Sequence, residues 1–413
     1  MGNTRKIADI GHVSLDSSGF LYFYVESFPF MLTSTGNGTG VSTLQVTVSA
    51  TTTFTLDGVA RFYSDAAGTL DESTTWAPTA GGTRTIYLKC TSGSSNMWIS
   101  ANTVTKINSW SSSTNAASLS GDISKLTVLT YVNVSGNNTL SSSVSGLTSL
   151  TYLRISGSNT LSGSVAALTG LTYIYVTGSN TLSGSITALT SLTFLSVGGN
   201  NTLSGSVTAL TGLTIMSVVG SNTLSGSVAA LTSLTVLQVT GSNTLSGSVA
   251  ALTGLTYVEI YGSNTVSGSV AALTSLSTLA VTGSNTLSGS ITALTSLTVL
   301  LVQGNNTISG DLNPIVSDLT TCTLNPCAMV DYTSGATWHN ATITINPADG
   351  YGYSSAEIDS MLIDMAASNT MSGRTITLQG SSAARTAASD AAVTKLTTTD
   401  SGYTHVGCTV ITN

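Results

Sequence analysis

Charge is what this chain most lacks. Lys, Arg, Asp and Glu make up 7% of its 413 residues, against roughly a quarter in an ordinary soluble domain. The formal net charge is −7, which leaves no basic footprint and argues against nucleic acid as a partner. The 4 cysteines, Cys90, Cys322, Cys327 and Cys408, are too few for a disulfide framework at this length. Cys322 and Cys408 fall at apolar strand positions and read as buried free thiols. Cys322 and Cys327 have neither CxxC spacing nor a neighbouring histidine, which argues against zinc. No apolar run approaches the ~18 residues of a membrane span, so membrane insertion is not expected. Residues 1–9 include Arg5 and Lys6 but reach Asp9 without an apolar h-region, so they read as neither a secretory signal nor a lipidation site.

Ser, Thr, Asn and Gly supply the polarity instead, and they do so periodically. The unit beginning at Leu171, LTYIYVTGSNTLSGSITALTS, recurs between Leu129 and Ile308 nine times with a 21-residue period. Its Asn column runs Asn138, Asn159, Asn180, Asn201, Asn222, Asn243, Asn264, Asn285 and Asn306. A fixed period of this size marks a solenoid, whose units cannot bury their apolar face alone and must stack. Within a unit the apolar residues step by three and then by two, as in Leu192, Leu195 and Val197, and a Gly-x-Asn-Thr-Leu turn follows. The pattern predicts a short strand entering a tight corner.

This spacing resembles the leucine-rich repeat, L-x-x-L-x-L-x-x-N-x-L, with one residue added before the Asn. The Leu-Ser-Gly-x-Val/Ile run that follows resembles the plant-type subclass, in shorter units that lack its Pro. The resemblance covers about 200 of the 413 residues. It implies a parallel sheet on one face of a solenoid, one strand per repeat, with the Asn side chains laddering along the corner to satisfy turn backbone groups. Units of this kind occur in phage tail and head fibres and in bacterial surface adhesins.

The expected organisation is therefore mainly β in three parts. Residues 1–103 alternate β-formers between Gly, Ser and Asp turns and read as a small β sandwich, with Phe62, Tyr63, Trp76 and Trp98 in its core. Residues 104–327 form the solenoid with its atypical first and last units, and Trp110 is expected to close the open end. Residues 328–413 read as an α/β cap. In it, Ser354 to Glu357 form a capping box, and Ile358, Met361, Leu362 and Met365 give a helical stripe. A strand at 374–378, a helix at 383–397 and a last strand through Val406, Cys408 and Val410 complete it.

Catalysis finds little support. General acid and base work needs paired titratable groups. From Leu126 to Gly310 the only charged side chains are Arg154 and Glu259, five repeats or about 24 Å apart at ~4.8 Å per strand. His12, His339 and His405 sit outside the repeats with no motif around them. The Ser-Gly-Ser runs come from the repeat and supply no nucleophile elbow. Asp65, Asp71 and Glu72 read as solvated loop acids rather than a calcium site. Neither enzyme activity, a cofactor nor a metal is expected.

The copies differ from one another in a single place. Strand side chains alternate, so the outward columns are Tyr131, Tyr152, Tyr173, Phe194, Ile215, Val236, Tyr257, Thr278, Val299 and, two residues on, Asn133, Arg154, Tyr175, Ser196, Ser217, Gln238, Glu259, Ala280, Leu301. Tyr261 and Gln303 belong to a third. Inward columns are nearly constant, Leu, Ile or Val with Met216 as an exception. Free drift on a solvated face, with the first aromatics stacked for stability, accounts for this contrast. So does a recognition surface of Tyr131, Tyr152, Arg154, Tyr173, Tyr175, Phe194, Gln238, Tyr257, Glu259, Tyr261 and Gln303, because Tyr offers rigid contact area, hydrogen-bonding phenols and a surface suited to stacking on sugar rings.

The composition suits work outside a cell, and the chain shows no export signal. A virion surface protein reconciles the two: a tail fibre, head fibre or decoration protein released by lysis. Its N-terminal domain would join other virion proteins and its outward sheet would bind a host surface glycan or protein. Self-association into a homo-oligomer is left open. A bacterial adhesin is the rival reading. Binding to ice or another crystalline surface fits the regular Thr, but not the variable outward columns.

Overall fold

The computed structural model describes the backbone of the strands between Ile10 and Gly121, and residues 123–413 apart from 125, 135–138, 141, 158, 326–329, 348–351, 369 and 399–406. The chain divides into two compact units, one of residues 1–184 with 198–201 and the other of residues 185–197 with 202–413. The same turn of chain is repeated in both.

A turn in the second unit shows how the sequence makes it. Leu224, Val228, Leu231, Leu234, Leu237 and Val239 are all 0% exposed. Thr223–Ser227 and Val236–Val239 are strands. Between them the chain steps inward every third residue, and each step is closed by a backbone bond: Leu231 N–H to the Val228 carbonyl at 2.9 Å and Leu234 N–H to the Leu231 carbonyl at 3.0 Å. Bonds of this span, with Ser, Thr, Gly and Ala between the anchors, form tight turns rather than a helix. Among the described residues no helix falls between 140 and 300, as the sequence predicts.

In the second unit the strands Phe194–Val197, Ile215–Val218, Val236–Val239, Tyr257–Ile260, Thr278–Val281, Val299–Gln303 and Thr321–Asn325 pair in parallel without slippage. In the first unit Tyr131–Val134, Tyr152–Ile155 and Tyr173–Val176 do the same. Here Val104–Ser111 joins Tyr131–Val134 in parallel on one side and Ser42–Val48 antiparallel on the other. The core roles expected of Phe62, Tyr63, Trp76 and Trp98, and the closing role of Trp110, fall on side chains outside the described residues.

One expectation needs correction: each full turn holds two strands, not one. The Thr-Leu-Ser-Gly-Ser run, expected to be a corner, is a second parallel ladder, as in Ser225, Gly226 and Ser227 opposite Thr244, Leu245 and Ser246. Gly and Ser are poor strand formers in isolation, so the run does not read as a strand. Pairing between identical neighbours overrides that propensity. Glycine is required within it: Gly184 has φ +97°, and a Cβ there would overlap the Ser164 hydroxyl of the preceding turn.

The Asn column acts as expected. Asn243 Oδ1 accepts the Leu224 N–H of the turn before at 2.9 Å, and its Nδ2 donates to the Thr240 carbonyl at 2.9 Å. Asn180 and Asn201 in the first unit, and Asn222, Asn264, Asn285 and Asn306 in the second, repeat the arrangement.

Beyond the repeats the sheet continues in parallel through Thr342–Ile345, Thr375–Leu378 and Thr409–Thr412. Helix α1, Ser355–Ala367, connects the first of these strands to the second. It carries the capping box of Ser354 and Glu357 and buries Ile358, Met361, Leu362 and Met365, as the spacing predicts. The helix expected over 383–397 is shorter, with a 3₁₀ turn at Ala387–Ser389 leading into α2, Asp390–Thr397. The Asp359 carboxylate accounts for the late start, because it accepts from the Thr386 N–H and hydroxyl and from the Ser389 hydroxyl, fixing this segment outside the helix. The last strand is Thr409–Thr412, and Val406 lies outside the described residues. Cys322 and Cys408 are buried free thiols.

Candidate binding face

The outward columns emerge where the alternation places them. In the first unit Tyr131, Tyr152, Tyr173 and Tyr175 are half-buried, and Arg154 is exposed between buried Leu153 and Ile155. In-register pairing sets Tyr131 opposite Tyr152 and Tyr152 opposite Tyr173, with Asn133, Arg154 and Tyr175 as the neighbouring row.

The tyrosine rings form a ladder. Centroids of Tyr131 and Tyr152 are 4.2 Å apart with planes 9° from parallel, and those of Tyr152 and Tyr173 are 4.3 Å and 11°. Each such pair contributes about 0.5–1.5 kcal/mol beyond its burial. The ladder narrows an expectation, because stacking at strand spacing covers both faces of Tyr152 and the facing sides of Tyr131 and Tyr173. No sugar ring can slide between them. What the ladder turns outward is ring edges and hydroxyls. Burial first, then the neighbouring phenol, holds Tyr131 and Tyr152 above the ordinary value of 10.0, so both are protonated at neutral pH. The Arg154 guanidinium carbon lies 5.2 Å from the centre of the Tyr175 ring, a cation–π contact.

The second unit carries a different cluster. Ser217 donates to Gln238 Oε1 at 2.6 Å, Gln238 Nε2 donates to Glu259 Oε2 at 3.0 Å, and the Tyr257 hydroxyl donates to the same carboxylate oxygen. That bond to Glu259, then burial and the Glu259 charge, pushes the Tyr257 phenol up to about 12. Burial, followed by the same charge, raises Tyr261. Ser217 was absent from the expected set, although it lies one period before Gln238 in the same column. Phe194 and Gln303 are half-buried on strands of this unit and stand opposite Ile215 and Asn325.

The other ionisable side chains described lie at or beyond Asp311, and the backbone of Lys106 pairs with Tyr131 at the edge of the first cluster. His339 is exposed; His12 and His405, like Asp65, Asp71 and Glu72, lie outside the described residues or have undescribed side chains. Asp359 and Asp364 serve packing in the cap, Asp364 by accepting the Tyr332 hydroxyl at 2.8 Å and the Gly335 N–H at 2.7 Å. No group of three or more His, Cys, Asp and Glu among the described residues lies close enough to hold a metal ion. No helix among them is long and apolar enough to cross a membrane.

Parallel strands at a 21-residue period, buried Leu columns and an Asn ladder decide the fold. It is a leucine-rich-repeat solenoid. Neither a protein-family model nor a curated protein matches the chain. Solved leucine-rich-repeat structures do. The ectodomain of the Arabidopsis thaliana membrane receptor kinase GASSHO1/SCHENGEN3 is 17% identical over 62% of this chain and 39% of its own, with a TM-score of 0.38. A TDR receptor is 20% identical over 63% and 58%, with a TM-score of 0.40. The chain thus spans less than two thirds of the length of either receptor structure. The functional domain of InlJ from Listeria monocytogenes is 18% identical over 67% and 74%, with a TM-score of 0.29.

Proposed function

We propose that this leucine-rich-repeat chain is a non-catalytic binding scaffold on the surface of a phage particle. It attaches, without a cofactor, to a glycan or protein of the host surface through its outward sheet face. In this reading residues 1–103 join the chain to other virion proteins, residues 104–327 present the binding face and residues 328–413 cap the solenoid. The observation that carries it is the contrast between columns. The inward strand columns stay aliphatic or Met, whereas outward neighbours at one register change in chemistry from Asn133 to Arg154 to Tyr175, and from Ser217 to Gln238 to Glu259. Folding alone needs the first constancy and is indifferent to the second variation.

The low charge and Ser, Thr and Asn surface suit an extracellular setting, and a bacterial adhesin shares them. Mass spectrometry of purified particles separates the two. Stoichiometric presence in the particle supports the virion reading, and recovery with the cell envelope alone overturns it. For the binding face itself, the isolated protein is expected to compete with particles for adsorption to susceptible cells. Failure of saturating protein to compete would count against a recognition role.

A further inference from the structure

We propose that the face around Arg154 recognises an acidic polysaccharide, with the guanidinium receiving a carboxylate and the tyrosine ladder receiving sugar hydroxyls. The inference rests on the binding reading above and names its partner.

Arg154 is exposed, and no carboxylate pairs with it among the described residues. From Leu126 to Gly310 the only other charged side chain is Glu259, which is engaged by Gln238 and Tyr257. The Arg154 guanidinium lies against an aromatic neighbour on the same face. The guanidinium carbon is 5.2 Å from the centre of the Tyr175 ring, and an exposed guanidinium can receive a carboxylate through two parallel N–H bonds.

The flanking chemistry selects the rest of the ligand. A phenol both donates and accepts a hydrogen bond. The row of Tyr131, Tyr152 and Tyr173 therefore sets phenol groups side by side that can meet the hydroxyls of a sugar chain. Asn133, Ser156 and Thr177 extend the polar surface, and the described outward positions of these three strands include no aliphatic side chain. Tyr and Arg also anchor protein interfaces, but the rings here are stacked on one another and no aliphatic side chain stands beside them at the described positions, which favours a polar ligand over an apolar anchor. Hydroxyls and a carboxylate together are the chemistry of a uronic or sialic acid polymer. Where the ring faces of the ladder are covered by one another, hydrogen bonding and charge replace stacking.

The test measures retention of the full chain on four immobilised acidic polysaccharides: polygalacturonate, alginate, hyaluronan and polysialic acid. Neutral galactan and poly-glutamate serve as controls. Binding to at least one acidic polysaccharide is expected, at least tenfold above either control. Arg154→Gln should lose at least tenfold of it with an unchanged melting temperature, and Arg154→Lys should recover part, since it restores charge without the fork. Absence of binding to all four polymers overturns the inference, as does equal binding by Arg154→Gln or equal retention on poly-glutamate. Adsorption to host cells, measured in parallel, separates the two failures. If Arg154→Gln adsorbs normally while wild-type protein still competes with particles, only the acidic-ligand inference falls; if wild-type protein does not compete, the binding reading falls too.

Discussion

The side-chain oxygen of Asn243 reaches back one turn to the Leu224 N–H, 2.9 Å away, while its amide nitrogen holds the Thr240 carbonyl of its own turn. One fully buried side chain thus satisfies a donor and an acceptor in consecutive turns. Asn243→Ala leaves both without a partner in a dry interior, at a cost of about 1–3 kcal/mol for each group so stranded. Urea unfolding should register the loss. The preceding residue, Ser242, is exposed; Ser242→Ala should therefore leave stability within about 0.5 kcal/mol of wild type.

Adjacent residues on one strand should respond in opposite ways. Leu237 is 0% exposed, and Leu237→Ala should cost ~2–5 kcal/mol through lost burial and the cavity left behind. Gln238 faces outward, yet it bridges Ser217 and Glu259, so its truncation should cost about 0.5–1.5 kcal/mol. Equal effects at the two positions would mean that the faces are inverted.

Acid should weaken the cap through Asp359. Burial by itself raises this carboxyl, but hydrogen bonds from Ser389 and Thr386 and the Arg385 charge outweigh burial and leave its pKa below 3.8. A folded-state pKa below the unfolded one gives stability that is present above the unfolded value and lost as pH falls through the folded value. Asp359→Asn should therefore flatten the decline of stability below about pH 4. An unaltered acid limb would show that the carboxylate contributes nothing through ionisation.

Alkali tests the other cluster. Tyr257 is pushed up to about 12 chiefly by its bond to Glu259, so Glu259→Gln should bring its phenolate absorbance in at lower pH. Between the ordinary value near 10 and about 12 the unfolded chain has released this proton and the folded chain has not. The stability that Tyr257 contributes is accordingly lost across that window. Superimposable titrations of the two proteins would rule out the coupling.

Much of this was legible before the structure. A 21-residue period fixes the register of every turn, and Leu-x-x-Leu-x-Leu tells inside from outside, so the solenoid, its buried columns and the place of Arg154 and Tyr175 on one face follow. Side-chain contacts between turns were harder to read. Nothing in the isolated Leu182-Ser-Gly-Ser185 run marks it as strand, because its extended state depends on identical neighbours. The two sheets differ in this respect: the Tyr152 face varies from turn to turn, whereas exposed Thr223, Thr244, Thr265 and Thr286 on the second sheet are the same in each. The tyrosines were correctly placed, but the coverage of their faces depends on rings meeting across strands.

The most direct test of the account is adsorption of the Tyr152→Ala, Tyr173→Ala, Tyr175→Ala protein to susceptible cells. Loss of the Tyr131–Tyr152 and Tyr152–Tyr173 stacks should lower the melting temperature by a few degrees, at about 0.5–1.5 kcal/mol each. If each aromatic anchor contributes on the order of 1–2 kcal/mol to attachment, binding should weaken by roughly a hundredfold or more. Ser183→Ala, on the second ladder, should leave attachment unaffected. Unchanged adsorption by the folded triple variant would contradict the recognition role and leave a structural solenoid whose outward residues have drifted.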